Sequence, residues 1–224
     1  MLPPLYAILD VDQTVGRGQT PERVAAAWLE AGVQLVQLRA KSLASGAFLD
    51  LADRLSALTR QAGATFIVND RADIARLSNA HGVHVGQADL RPADVRLVLP
   101  PPALIGFSTH SDAQVAAAVA QPVELAYIAI GPVFATRSKS QPDPTIGIEG
   151  VRRARRIAKI PGIPGYPVSS GLPVVAIGGI TLDRAAEVIE AGASAVAVIG
   201  DLLGDDPGAR ARAFLRELGP GRVI

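Results

Sequence analysis

The sequence predicts a single (β/α)8 barrel, and three observations carry that expectation. Short runs rich in β-branched residues alternate with stretches of helical spacing along the whole chain, which implies parallel strands joined by crossover helices. About eight such units can be counted, enough for the sheet to close; an open doubly wound sheet with similar alternation is the other architecture of this pattern. Most apolar runs also end in a polar or glycine-rich cluster. VQLVQLR leads into Arg39-Ala40-Lys41, TFIV into Asn69-Asp70-Arg71, GVHV into Gly86-Gln87-Ala88-Asp89, LIGF into Ser108-Thr109-His110, and PVVAI into Gly178-Gly179. In a parallel barrel the loops at the strand C-termini share one face, so these clusters are expected to meet there.

The elements follow in order. A first strand is expected over Leu5–Leu9, ending at Asp10, with Gly16-Arg17-Gly18 as a flexible turn. Thr20-Pro21-Glu22 opens a helix, with Thr as N-cap, Pro at the first helical position and an acid in the first turn. Gly32 closes it before a strand over Val33–Leu38. Phe48, Leu51, Leu55 and Leu58 recur at helical spacing between Ser45 and Gln61, and Thr65–Val68 is the third strand. A short helix near Ala72–Leu77 leads to a strand around Val83–Val85, and Arg91-Pro92 starts another helix. Pro100-Pro101-Pro102 stops that helix before a strand over Leu104–Phe107. Ser111-Asp112 caps a helix running to Val119, and Leu125–Ile130 is the sixth strand. A long loop covers Gly131 to Gly147, followed by a basic helix over Glu149–Lys159. The segment 161–172, rich in Pro, Gly and Ser, is longer than usual barrel connections and reads as an insertion on the face away from the chemistry, because it precedes a strand. Pro173–Ile177 and Ala195–Ile199 are the last strands, Thr181 starts the helix between them, and Pro207–Leu218 closes the fold. No domain boundary is visible, so residues 1–224 read as one domain.

With 22 basic and 21 acidic residues the net charge is +1, which provides no global electrostatic reason for nucleic-acid or membrane binding. The chain has no cysteine, which excludes disulfides, thiolate nucleophiles and Cys-ligated zinc. Met1-Leu2-Pro3-Pro4-Leu5-Tyr6 lacks the pattern of a signal peptide, and no run reaches the roughly 18 apolar residues of a membrane span, so a cytoplasmic protein is expected. Homo-oligomerisation stays open.

The clusters combine cations, carboxylates, hydroxyls and glycines, a set suited to a phosphorylated substrate held with a metal ion. Alternation places Gln37 and Arg39 on one face of their strand, toward the barrel mouth, with Lys41 just beyond. Arg can clamp a phosphate with two parallel bonds, and Lys adds a point charge. Asp70 and Asp89 end adjacent strands; a shared Mg²⁺ would reconcile them, and helix capping is the structural alternative for each. Gly178-Gly179 lets backbone N–H groups approach a phosphate in the seventh loop, unless it is an ordinary tight turn. Thr136, Arg137, Ser138 and Lys139 offer two hydroxyls and two cations. His110 is an acid–base candidate but fits better as a loop or capping residue; His81 and His84 flank a strand without metal-ligand spacing. Arg152, Arg153, Arg155, Arg156 and Lys159 read as a solvated helix face, with nucleic acid a distant second.

The series QLRAK (37–41), VND (68–70), GVHVGQADL (82–90), IGFS (105–108), GPVFATRSK (131–139) and AIGGIT (176–181) resembles the motifs of thiamine-phosphate synthases, in order and spacing, over about Leu5 to Leu218. The resemblance implies a TIM barrel that joins hydroxymethylpyrimidine diphosphate to a thiazole phosphate with Mg²⁺, releasing pyrophosphate and thiamine monophosphate. It assigns Gln37, Arg39, Lys41, Asn69, Ser108 and Lys139 to the pyrimidine diphosphate, Arg39, Lys41, Ser108 and Lys139 being the catalytic ones. It assigns Asp70 and Asp89 to Mg²⁺, and Thr136, Ser138, Gly179, Ile199 and Gly200 to the thiazole phosphate. Departure of pyrophosphate leaves a delocalised pyrimidine cation for the thiazole nitrogen to capture, which needs charge neutralisation and alignment rather than a protein nucleophile. The chain departs from the family pattern at Gly200, where a serine is usual, at Ser138, where threonine is usual, and in the length of 161–172. A thiazole tautomerase using His110 as base, or a non-catalytic sensor of thiamine intermediates, are the alternatives.

Overall fold

In the computed structural model, which describes residues 2–136, 143–159 and 171–219, eight parallel strands close into a barrel in simple sequential order, β1 pairing with both β2 and β8. The strands are β1 (Leu5–Asp10), β2 (Leu35–Arg39), β3 (Thr65–Asn69), β4 (Gly82–Val85), β5 (Leu104–Thr109), β6 (Tyr127–Ile130), β7 (Val174–Ile177) and β8 (Ala195–Val198). The helices are α1 (Val11–Val15), α2 (Pro21–Glu30), α3 (Ser45–Gln61), α4 (Ala72–Leu77), α5 (Pro92–Val98), α6 (Asp112–Val119), α7 (Gly147–Ala158), α8 (Leu182–Glu190) and α9 (Pro207–Leu218). The barrel expected from the alternation is therefore present. Among the described residues no helix is long and apolar enough to cross a membrane.

Strand parity divides the core into two layers. Odd positions of β1 (Leu5, Ala7, Leu9), with Val36, Leu38, Phe66, Val68, Val83, Ile105, Ile128, Val174, Ala176 and Val196, face outward onto the helices. Alternate positions face the axis: Tyr6, Ile8, Leu35, Ile67, Tyr127, Ala129, Val175, Ala195 and Ala197 form a second, separate cluster. Continuing the same parity to the strand C-termini brings Asp10, Gln37, Arg39, Asn69, His84 and Ser108 to the inner face. The sheet is thus apolar in its lower layers and polar at one rim.

The helices follow local chemistry. In α3, Phe48, Leu51, Ala52, Leu55, Ser56 and Thr59 are buried at i, i+3, i+4 spacing, one stripe against the barrel. Ser111 Oγ accepts from Gln114 N–H at 3.3 Å to cap α6, while Gln114 Oε1 accepts the His110 N–H at 2.7 Å, a reciprocal cap. Asp206 caps α9 through Ala209 N–H at 2.8 Å, ahead of Pro207. Thr20 occupies the N-cap position of α2 without a side-chain bond, so Pro21 and the first-turn acid mark that start instead. Along α7 the arginines are solvated or paired outward: Arg152 with Glu149, and Arg153 with Asp112 of α6 at 2.9 Å. The expected insertion 161–172 lies outside the described residues except for Gly171 and Leu172; Leu172 packs against the core.

Candidate active site

The rim of the barrel opens into a cavity of about 440 Å³ lined from nearly every strand end. Its floor is the inner apolar cluster, represented by Ile8, Ala129, Val175, Ile177 and Ala197. Gln37, Arg39, Asn69, His84 and Ser108 stand on one wall, and Gly178, Gly179, Ile199 and Gly200 on the other.

Arg39 is fixed by Asp10, the last residue of β1. Asp10 is paired with Arg39 in register across β1 and β2, and its carboxylate accepts from the guanidinium. The other Asp10 oxygen caps α1 by accepting from Gln13 N–H at 2.9 Å, and Thr14 Oγ1 donates to the Asp10 carbonyl at 2.7 Å. One buried acid therefore holds both a helix start and the cation at the mouth.

Lys41, Asp70 and Asp89 lie just beyond the cavity wall. Lys41 Nζ is 2.9 Å from Asp70 Oδ2. Burial raises the Asp70 pKa above the ordinary carboxylate value, the Lys41 hydrogen bond opposes that shift, and the nearby Asp89 carboxylate raises it again. The two acids thus meet at the same end of the barrel. Neither serves as a helix cap: the N-cap residues of α4 and α5 are Arg71 and Arg91. Asp70 holds a left-handed backbone, φ +64°, unusual for a residue with a side chain. Asp89 Oδ2 accepts from Gly86 N–H at 2.8 Å, which closes the turn that follows β4. Among the described residues there is no cluster of three or more His, Cys, Asp or Glu able to hold a metal. A pair of carboxylates is nevertheless a donor set that fits Mg²⁺, which fills its remaining positions with water and phosphate oxygens.

On the opposite wall, Gly178 (φ +102°) and Gly179 (φ +63°) take left-handed conformations, and a Cβ at 178 would lie 2.5 Å from Pro132 Cβ. A Cβ at 179 would collide with the Ala135 carbonyl. Both positions therefore require glycine, and they bring bare backbone to the cavity. Two cations, Arg17 and Arg184, also line the cavity. Arg17 Nη1 donates to the Gly200 and Leu203 carbonyls, each at 2.9 Å, and the Arg184 guanidinium lies 4.7 Å from the centre of the Phe134 ring. The first amide of α8, Leu182 N–H, is already bound to Asp201 Oδ2 at 2.8 Å, and Asp201 is in turn held by Arg210.

Comparison with known proteins decides the family. Residues 5–202 match the family model described as thiamine monophosphate synthase. The chain belongs to the thiamine monophosphate synthase family. It is 41% identical over 223 residues to a thiamine-phosphate synthase of Koribacter versatilis, covering 97% of this chain and 96% of that one. It is 38% identical over 213 residues to one from Methanoculleus marisnigri, covering 95% and 93%. Among solved structures, a thiamine phosphate pyrophosphorylase from Pyrococcus furiosus superposes with a TM-score of 0.80 at 28% identity, covering 96% of this chain and 95% of that one.

Of the site residues expected for this family, Gln37, Arg39, Asn69, Ser108, Thr136, Gly179, Ile199 and Gly200 all line the one cavity. Lys41, Asp70 and Asp89 gather at its edge. Ser138 and Lys139 lie outside the described residues. His84 is a correction: it does not flank a strand but belongs to β4 and turns inward, with Nε2 2.8 Å from Ser108 Oγ. Its neighbour His81 accepts the Phe66 N–H at 3.0 Å and plays no part in the cavity. His110 approaches the Gly131 carbonyl at 2.8 Å through Nδ1, and it also lines the cavity.

Proposed function

We propose that this chain couples 4-amino-2-methyl-5-hydroxymethylpyrimidine diphosphate to a thiazole phosphate, forming thiamine monophosphate and pyrophosphate. Family membership supports the reaction. The observation that carries the site assignment is the meeting of Arg39, Lys41, Asp70, Asp89 and Ser108 at one rim of the barrel. Both substrates are small phosphorylated molecules, and each of these five side chains is a donor, a cation or a hard oxygen ligand.

Gln37, Arg39, Asn69 and Ser108 bind the pyrimidine diphosphate, with Lys41 and Lys139 adding positive charge to the same oxygens. Arg39, held by Asp10, meets the leaving pyrophosphate with a preoriented fork of N–H groups. Ser108 donates a hydrogen bond that strengthens as negative charge collects on the leaving oxygens. Asp70 and Asp89 would hold Mg²⁺, which when bound neutralises charge on the diphosphate. Thr136, Gly179, Ile199 and Gly200 receive the thiazole phosphate on the far wall, so its ring nitrogen is presented across the apolar floor; the family pattern assigns Ser138 to the same phosphate. The enclosed floor keeps water from intercepting the pyrimidine cation before the nitrogen reaches it. No nucleophile or base is required of the protein.

Asp89→Asn tests the assignment. It retains an oxygen for Gly86 N–H while removing the charge. Turnover with Mg²⁺ is expected to fall by about 100-fold or more, with the dissociation constant for thiazole phosphate altered by less than about 3-fold. Unchanged turnover, or equal loss of both, contradicts the metal role.

A further inference from the structure

Five polar side chains form one continuous hydrogen-bonded chain through the inner layer of the barrel, and its far end is Ser108. Gln37 Nε2 donates to Tyr6 Oη at 2.6 Å, and Tyr6 Oη lies 2.7 Å from Tyr127 Oη. Tyr127 Oη is 3.2 Å from His84 Nδ1, and His84 Nε2 is 2.8 Å from Ser108 Oγ. The members come from β2, β1, β6, β4 and β5, so the chain spans the barrel rather than decorating one strand. Both tyrosines are buried, with relative exposures of 1% and 0%. Burial pushes the pKa of each upward, so each keeps its proton.

The packing is built around this chain. The Tyr127 ring meets Tyr6 edge-on, with centroids 5.6 Å apart, and stacks on the His84 imidazole at 5.6 Å with 12° between planes. Gly106 faces them from β5, and a Cβ there would lie 2.5 Å from His84 Nδ1 and collide with the Tyr127 phenol. Three polar aromatic groups in an apolar barrel layer are costly unless fully satisfied, and here each is satisfied by the next.

Proton bookkeeping gives the chain a direction. With the Gln37 amide oriented so that Nε2 faces Tyr6 Oη, Gln37 donates, Tyr6 accepts and its own proton goes to Tyr127. Tyr127 passes its proton to His84 Nδ1, which must be bare; the imidazole proton is then on Nε2 and points at Ser108 Oγ. With that oxygen accepting from His84, its own hydrogen is free to turn into the cavity. We propose that His84 is a positioning residue, held by Gln37, Tyr6 and Tyr127 as the Nε2–H tautomer, which orients the Ser108 hydroxyl as a donor toward the departing pyrophosphate. The inference rests on the synthase reading for its consequence, but its structural core concerns the free protein. The opposite polarity would run from Ser108 O–H to His84 Nε2 and from His84 Nδ1–H through the tyrosines to the Gln37 carbonyl, and it would leave only lone pairs facing the leaving group.

The tautomer is read directly by long-range ¹H–¹⁵N correlation spectra of the ligand-free protein. The chain has three histidines, and His84→Gln assigns the signal. A protonated Nε2 and a bare, hydrogen-bonded Nδ1 are expected near neutral pH. In Tyr127→Phe, which removes only the hydroxyl, the Nδ1 resonance is expected to move toward the position of a nitrogen without a donor. A protonated Nδ1 in the parent protein overturns the proposal whatever the enzyme's activity, and so separates its failure from failure of the synthase reading. The catalytic arm is a double-mutant cycle on kcat. His84→Phe is expected to lower kcat by about 10-fold, His84→Gln to recover most of that through its Nε2 donor, and His84→Phe to cost less than about 2-fold more in a Ser108→Ala background. Additive losses in the cycle would make His84 merely structural and overturn the positioning role.

Discussion

The pair formed by Asp10 and Arg39 offers the sharpest test of how the mouth of the barrel is organised. Asp10 is only 2% exposed and uses both oxygens: one on the Arg39 guanidinium and one on Gln13 N–H. The side chain of Arg39 is 19% exposed, so its charge, unlike that of Asp10, can still reach solvent through the cavity. Removing one partner of a fully buried pair costs about 3–5 kcal/mol, and this partial access lowers the expectation to about 2–3 kcal/mol for Asp10→Asn, which retains an oxygen for the cap. Asp10→Ala loses the cap as well, adding about 1 kcal/mol. Urea unfolding followed by circular dichroism should rank the parent above the Asn variant and the Asn variant above the Ala variant in that spacing. Initial rates should show KM for the pyrimidine diphosphate rising by about 10-fold in Asp10→Asn, one lost charge-assisted contact, while KM for the thiazole phosphate stays within about 2-fold. Stability within about 0.5 kcal/mol of the parent in both variants, or equal shifts of both KM values, would refute the view that Asp10 acts by aiming Arg39.

Other consequences follow from single positions. Gly179→Ala forces a side chain into a left-handed backbone against the Ala135 carbonyl; a loss of about 1–2 kcal/mol from the backbone alone is expected, with KM for the thiazole phosphate raised, as checked by thermal unfolding and kinetics. Gly200→Ser should be tolerated, because a Cβ there meets Gln13 Oε1 at 3.4 Å and Arg17 Nη2 at 3.8 Å; stability within about 0.5 kcal/mol of the parent and a lower KM for the thiazole phosphate are expected. His81 has its pKa lowered from 6.5, chiefly by burial and further by Arg60, while its Nδ1 accepts the Phe66 N–H. A depressed histidine favours the neutral form in the fold, so its contribution is present above about pH 6.5 and is lost as the pH falls through the lower native value. The melting temperature should therefore drop between about pH 7 and 5, and drop less in His81→Asn, whose side-chain oxygen can take the same N–H without titrating.

Much of this was legible in the sequence because a barrel repeats one rule. Alternation of β-rich and helical segments implied closure, and the polar residues at strand ends implied a shared rim, and the structure has both. Element limits moved by one or two residues, as at β2, which starts at Leu35 rather than Val33, and β6, which starts at Tyr127 rather than Leu125. Helix α1 was missed because its five residues begin straight after the strand and are started by Asp10, whose cap bond was not distinguishable from a strand-end acid. His84, Tyr6 and Tyr127 were missed for a different reason. Strands buried on both faces read as continuous apolar runs, so hydrophobicity hides which residues face the axis. The parity argument that placed Gln37 and Arg39 inward applies equally to His84 in GVHV and to Ser108 in LIGFST, and carrying it across all eight strands would have found the polar chain. Arg17 and Arg184 could not be anticipated, since their positions depend on loop and helix geometry beyond the strands.

The most direct test of the account is to supply the purified protein with both substrates and to quantify pyrophosphate and thiamine monophosphate with and without Mg²⁺. Equimolar appearance of the two products, abolished by chelation and restored by added Mg²⁺, is the predicted result. Folded protein that yields neither product, or that yields both at an unchanged rate under chelation, would contradict it.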